Sequence, residues 1–288
     1  MKQILLMFFK IIIKLDNILI YFFNKSIITK FTEYVEQNNY TKVELKKKIF
    51  KWFTPNYICR YRVSTILQKE PETIEWIDNF KTEKETKIFW DIGSNIGIYS
   101  VYAAKTHKNI KVISFEPSTS NLRVLSRNIH INNLVNKISI FQIPLTNEDN
   151  KLLTMYDSKF IEGWAMNSFG KETNYNIKDK FLQNNYKIFG TSINYLIENN
   201  ILALPDYIKI DVDGIEDLIL SGSNKYLSSK KIQKISIEID ENFEKQKNNI
   251  LKILEKHNFV FDKKHQSAIV KNNKETNKTY NYHFIKKF

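Results

Sequence analysis

Three short stretches of the 288-residue chain gather residue types that do chemistry. "FWDIGSNIG" runs an apolar segment into Asp91, Gly93, Ser94, Asn95 and Gly97. Two glycines four residues apart let the backbone turn sharply and a ligand lie against it, and Asp91 adds a carboxylate at that turn. "FEP" places Glu116 at the end of a second apolar run, where an acid receives ribose hydroxyls in nucleotide-binding folds. "DYIKIDVDG" closes a further run with Asp211 and Asp213.

The first two stretches choose between nucleotide ligands. A dinucleotide fingerprint reads G-x-G-x-x-G; this chain has G-S-N-I-G, with Ser94 and Asn95 where the second glycine would stand. Asp91 would repel a pyrophosphate but suits a cationic ligand carrying an amino group. An acidic loop, a glycine turn and a ribose-binding acid together describe S-adenosylmethionine better than NAD. Asp91, Gly93, Ser94, Asn95, Gly97 and Glu116 are the expected cofactor residues.

Asp211 and Asp213 are the expected catalytic pair. On an extended strand their side chains share a face, and two facing carboxylates raise the pKa of one, which makes a base at nearer-neutral pH. The other chemistry open to them is Mg²⁺ coordination with Glu238 or Asp240 of "IEID"; a divalent metal is not predicted. Lys209 reads as a salt-bridge partner, and Glu216 as a cap at a helix start. "EGWAMNSFG" offers Trp164 for stacking on a sugar ring and Asn167 and Ser168 for its hydroxyls, or else a loop that closes the core. Histidines 130, 257 and 283 fall in no usable pattern and are left out of the site.

These residues need a scaffold that brings the ends of several strands together. "KIFWDIG", "KVISFEP", "KISIFQI", "DYIKIDVDG" and "KISIEID" read as strands. Helix-period segments separate them: 98–105, a helix capped by Ser118 and running to Ile131, "SINYLIEN", "IEDLILSG" and "QKNNILKILEKH". "FVFDKK" and "YNYHFIKKF" form a terminal antiparallel pair. Such alternation means an α/β, doubly wound, mostly parallel sheet with helices on both faces. Residues 26–86 read as mostly helical, 87–288 as the main domain, and 158–190 as a lid-like insertion.

Composition bounds the function. A net charge of +13 comes from lysines scattered among Asn and Ile, a solvated basic surface rather than a nucleic-acid groove. No N/D-P-P-Y/F run for gripping a flipped base is present. Cys59 is the single cysteine, which excludes an intrachain disulfide and a cysteine-cluster zinc site and fits a reducing cytoplasm. Residues 1–25 are the most apolar, yet Lys10, Lys14 and Asp16 break any run of about 18 uncharged residues that would span a bilayer. The same lysines, and the lack of a small-x-small site, speak against a secretory signal. On a helix, Gln3, Lys10, Lys14, Asn17 and Lys25 form one polar stripe. Such a helix packs on the domain, on a second copy in a homo-oligomer, or on the cytoplasmic membrane face.

"WDIGSNIGIYSVYAA", "VISFEPSTSNLRVLSRNI" and "YIKIDVDGIEDLILSG" resemble successive motifs of the FkbM family of S-adenosylmethionine-dependent methyltransferases. In the third, Lys209, Ile210, Asp211, Val212, Asp213, Gly214 and Glu216 match in order, with Asp213 where that family usually carries Glu. The likeness covers roughly residues 87–242, with "NYHFIKK" similar to the closing strand. It implies the class I methyltransferase fold, a Rossmann-like seven-stranded sheet with one antiparallel strand. It also implies methyl transfer to oxygen, of a sugar, a glycan or another small-molecule hydroxyl. The competing functions are an NAD-linked oxidoreductase and a non-catalytic membrane- or nucleic-acid-binding protein on a methyltransferase-like fold.

Overall fold

The computed structural model describes residues 2–170, 184–266, 268–272 and 278–287. The chain divides into two units, residues 1–41 and 42–288. The smaller holds α1 (Lys2–Phe23) and α2 (Ile27–Asn38). Ser26 caps α2, its hydroxyl accepting from the Thr29 N–H at 2.9 Å. Asp16 of α1 accepts from the Ser26 hydroxyl and from the Ile27 and Ile28 N–H groups at 2.8, 2.6 and 3.1 Å. The acid of α1 therefore satisfies open amides at the start of α2 and ties the two helices together.

The division falls within β1 (Tyr40–Leu45), and the larger unit continues through β2 (Lys48–Phe53), α3 (Tyr57–Ser64), α4 (Ile66–Lys69) and α5 (Pro71–Asp78). The β1–β2 hairpin departs from the helical expectation for residues 26–86. Its turn is Lys46–Lys47, both at positive φ (50° and 61°), a conformation that Asn-Gly ordinarily announces; two lysines give no such signal.

The rest alternates as expected: β3 (Lys87–Ile92), α6 (Ile98–Thr106), β4 (Ile110–Phe115), α7 (Thr119–Ile131), β5 (Ile138–Phe141), β6 (Lys151–Asp157), β7 (Ser168–Phe169), β8 (Asn184–Gly190), α8 (Ile193–Glu198), β9 (Tyr207–Ile210), α9 (Glu216–Ser221), β10 (Lys234–Asp240), α10 (Glu244–Lys256), β11 (Phe259–His265), α11 (Ala268–Lys271) and β12 (Thr279–Lys286). Seven strands form one sheet in the order β11-β12-β10-β9-β3-β4-β5. The β3, β4, β5, β9 and β10 pairs are parallel, and β12 runs antiparallel to both its neighbours. This is the class I methyltransferase arrangement, with one reversed strand. The central strands are near-continuous apolar runs, as strands covered on both faces must be; Trp90, Ile92, Phe115, Ile208, Ile210, Ile235 and Ile237 fill the core.

The insertion differs from its expected 158–190 bounds. β6 starts it at Lys151, and β7-β6-β8 form an antiparallel three-stranded sheet; residues 171–183 of the expected lid lie outside the described residues. Ser118 stands at the N-cap of α7, but its hydroxyl pairs with that of Ser120 at 3.0 Å instead of capping an amide.

Candidate active site

A cavity of about 500 Å³ opens where β3, β4, β9 and β10 end, the edge of a doubly wound sheet at which ligands bind. Its walls come from the turns after these strands, from 163–167, and from α3 and α4.

The turn after β3 is shaped by close approach. Gly93 has φ +85°, and a Cβ there would stand 1.8 Å from the Asp211 carbonyl oxygen, so only glycine lets this turn lie against the loop after β9. Asn95 donates its N–H to Glu116 Oε2 at 2.7 Å and its side-chain amide to the Trp164 carbonyl at 2.9 Å. The Ser118 N–H reaches Glu116 Oε1 at 2.9 Å. Glu116 is thereby fixed at the end of β4, on the cavity wall, with burial pushing its carboxyl up to about 7.

Gly93, Asn95 and Glu116 line the cavity; Asp91, Ser94 and Gly97 do not. Asp91 is completely buried in β3, opposite Lys209 of β9, and accepts from the Ser100 hydroxyl of α6. Strand alternation aims this carboxylate under α6 rather than onto the cavity wall. Its Oδ1 has no partner among the described residues, and burial raises its pKa against the opposing charge of Lys209. Ser94 turns back to the Phe115 carbonyl, which accepts from its N–H at 3.0 Å and its hydroxyl at 3.1 Å. Gly97, at φ +84°, spaces the start of α6 from α7, since a Cβ would lie 2.4 Å from Leu125 Cδ1.

Asp211 and Asp213 both reach the cavity, but not from a shared strand face. β9 ends at Ile210, and Asp213 sits at φ +59° in a tight loop with Gly214 at φ +116°. Asp211 accepts from Lys209 Nζ at 2.6 Å. Burial would lower the Lys209 pKa, but Asp211, Glu70 and Asp91 around it raise it above the ordinary lysine value. Asp213 accepts from the Met166 N–H at 2.6 Å; burial first, then the Asp211 charge, pushes its carboxyl up to about 6. Glu238 of β10 completes this acidic end, held well above the usual carboxylate range by burial and by Asp211. Glu216 lies behind the loop, accepting from the Gly214 N–H at 3.1 Å and from the Gln246 amide at 2.8 Å, and burial pushes it up to about 7. Its part extends beyond a helix cap to holding the loop that carries both aspartates. Among the described residues no three His, Cys, Asp or Glu side chains are arranged to hold a metal ion. Asp240 lies off the wall, its Oδ1 accepting from the Asn242 N–H at 2.9 Å.

Trp164 and Asn167 line the cavity, whereas Ser168 is buried in β7 beside β6 and lies off its wall. The Trp164 indole N–H donates to the Ser158 hydroxyl at 2.8 Å, and the Lys159 ammonium stands 3.8 Å over its ring. Asn167 Oδ1 is buried without a partner among the described residues.

Tyr61, Arg62 and Lys69 also line the cavity. Arg62 donates through Nε to the Gly163 carbonyl, and Lys69 pairs with Glu70 at 3.1 Å. Burial raises the Glu70 pKa, but Lys69 and Lys209 together hold it down at about 2. Nothing in their spacing marks these residues; they come from helices whose only signal is a mixture of basic and apolar side chains. Cys59, nearby, is a buried free thiol that burial pushes up to about 12, an inert group.

The chain is 32% identical over 66 residues to methyltransferase sdnD of Sordaria araneosa, and the match spans about a quarter of that curated relative, 26% of its length against 23% of this chain. Among solved structures it is similar to methyltransferase FkbM of Methylobacillus flagellatus (15% identity, TM-score 0.46, 79% of this chain and 52% of that one). A second is precorrin-6y C5,15-methyltransferase of Geobacter metallireducens (12% identity, TM-score 0.44, 76% and 87%). Residues 91–261, more than half of the chain and the stretch that carries Gly93, Glu116 and the Asp211–Asp213 loop, match the methyltransferase FkbM domain, and the chain belongs to that family.

Proposed function

We propose that the chain transfers the methyl group of S-adenosylmethionine to a hydroxyl oxygen of a sugar, a glycan or another small molecule. The observation that carries this reading is one cavity with Glu116 fixed beside the glycine turn at one end and Asp211, Asp213 and Glu238 at the other. These residues suit the donor. Gly93 leaves open a cradle that any side chain would fill, and Glu116 presents an anchored carboxylate to ribose hydroxyls.

When bound, S-adenosylmethionine supplies a methyl group on a positively charged sulfur, already a strong electrophile. The chain then has to align the acceptor oxygen and take its proton. Asp213 receives that proton at the oxygen not engaged by the Met166 N–H. Its pKa of about 6 leaves it mostly ionised at neutral pH yet more basic than an ordinary aspartate. Asp211, held by Lys209, keeps the Asp213 carboxyl raised through its charge and orients the acceptor. Trp164 gives a flat face for a sugar ring, and Asn167 Oδ1 accepts from one of its hydroxyls. The single buried cysteine supports a reducing compartment such as the cytoplasm.

The test is transfer of a labelled methyl group to a panel of sugars and lipid-linked sugars. Asp213→Asn is expected to lower turnover about 100-fold or more while S-adenosylhomocysteine binds as before. Undiminished turnover in the variant, or label recovered on nitrogen or carbon, contradicts the reading.

A further inference from the structure

The α1–α2 hairpin carries far more apolar surface than its two helices use. On α1 the six consecutive side chains Ile4, Leu5, Leu6, Met7, Phe8 and Phe9 are all exposed, as are Tyr21, Phe22 and Phe23 at its other end. On α2 the spacing of Ile27, Phe31, Tyr34 and Val35 makes an exposed apolar stripe. Six consecutive residues point in every direction around a helix, so no single flat protein face covers them, whereas a lipid phase closes around them.

The charges select the kind of lipid. Lys10 and Lys14, one turn apart and both exposed, share a stripe, and the chain as a whole is +13. The acid of α1, Asp16, lies roughly 200° around the helix from Lys14, and both its oxygens are occupied by the start of α2. Lys10 and Lys14 thus stand exposed on a face of α1 that its only acid does not share. Among the described residues no helix is long and apolar enough to cross a membrane, so a lipid contact of α1 would be made in the interface plane, where aromatic side chains are suited to the headgroup level. We propose that the α1–α2 hairpin is a docking element for an anionic bilayer surface, with its apolar side chains entering the headgroup–acyl boundary and Lys10 and Lys14 meeting lipid phosphates.

Sedimentation of the full chain with vesicles tests this without reference to methyl transfer. The chain is expected to pellet with phosphatidylcholine vesicles containing phosphatidylglycerol and to remain in solution with phosphatidylcholine alone. Lys10→Gln with Lys14→Gln is expected to weaken binding roughly 30-fold, and Phe8→Ala with Phe22→Ala to abolish it, both variants keeping the wild-type circular dichroism. Absence of binding to either vesicle, equal binding to both, or unchanged binding of the lysine variant overturns the proposal. So does a lipid-free dimer that the phenylalanine variant dissociates, since a second copy would then cover this face.

Discussion

Five carboxylates, Glu116, Asp211, Asp213, Glu238 and Glu216, meet the cavity or the loop that shapes it, and the hydrogen-bond partners of four of them set their work. Asp211 is tied to a buried ammonium, Asp213 to a backbone N–H of the opposite wall, Glu116 to two amides at a strand end, and Glu216 to the loop it braces. Glu216 makes a measurable demand on the fold. Its ordinary pKa of 4.5 is pushed up to about 7 by burial, so the folded chain retains a proton that the unfolded chain has released. Stability therefore falls as pH rises from about 4.5 to about 7, and above that the whole penalty is present. Glu216→Gln removes this term while keeping an acceptor for the Gly214 N–H. Its melting temperature, compared with wild type, is expected to rise steadily across that window in ligand-free thermal unfolding. A difference independent of pH contradicts the assignment.

At the scale of elements, the glycine turn is held by more than its glycines. Asn128 of α7 is fully buried; its Oδ1 accepts from the Phe53 N–H of β2 at 2.7 Å, and its amide donates to the Ile96 carbonyl at 2.8 Å. One side chain thus joins the hairpin, the turn and a sheet-covering helix. Asn128→Ala removes both hydrogen bonds from a buried site and is expected to cost about 2–4 kcal/mol in urea unfolding; a loss below about 0.5 kcal/mol contradicts this role. Such joints also mark where the sequence was readable. Strands ending in "DIG", "FEP" and "DVDG" announce themselves because an apolar run stops at an acid and a glycine or proline. The hairpin at 40–53 does not, because two lysines adopt its turn. Gly93, Asn95, Glu116, Asp211, Asp213, Trp164 and Asn167 line the cavity wall. Asp91, Ser94, Gly97 and Ser168 are one or two positions away in direction, which spacing along a strand end does not determine.

Over the whole molecule, the cavity draws on more chain than the family match. Tyr61, Arg62 and Lys69 lie upstream of residue 91, yet they close one wall, and Glu70 beside them joins the charge network of Lys209 and Asp211. No motif shows this, because the contact is made by tertiary packing between segments about a hundred residues or more apart. What unites these parts is one cavity, with Glu116 at the end proposed to take the ribose. Calorimetric titration of the full chain with S-adenosylhomocysteine, repeated on Glu116→Ala and followed by NAD, measures it directly. Saturable binding of S-adenosylhomocysteine alone is expected, at least about tenfold weaker in the variant, the loss of charged hydrogen bonds to the ribose being worth about 1.5–3 kcal/mol. Absence of binding, equal binding by Glu116→Ala, or preference for NAD would contradict the account.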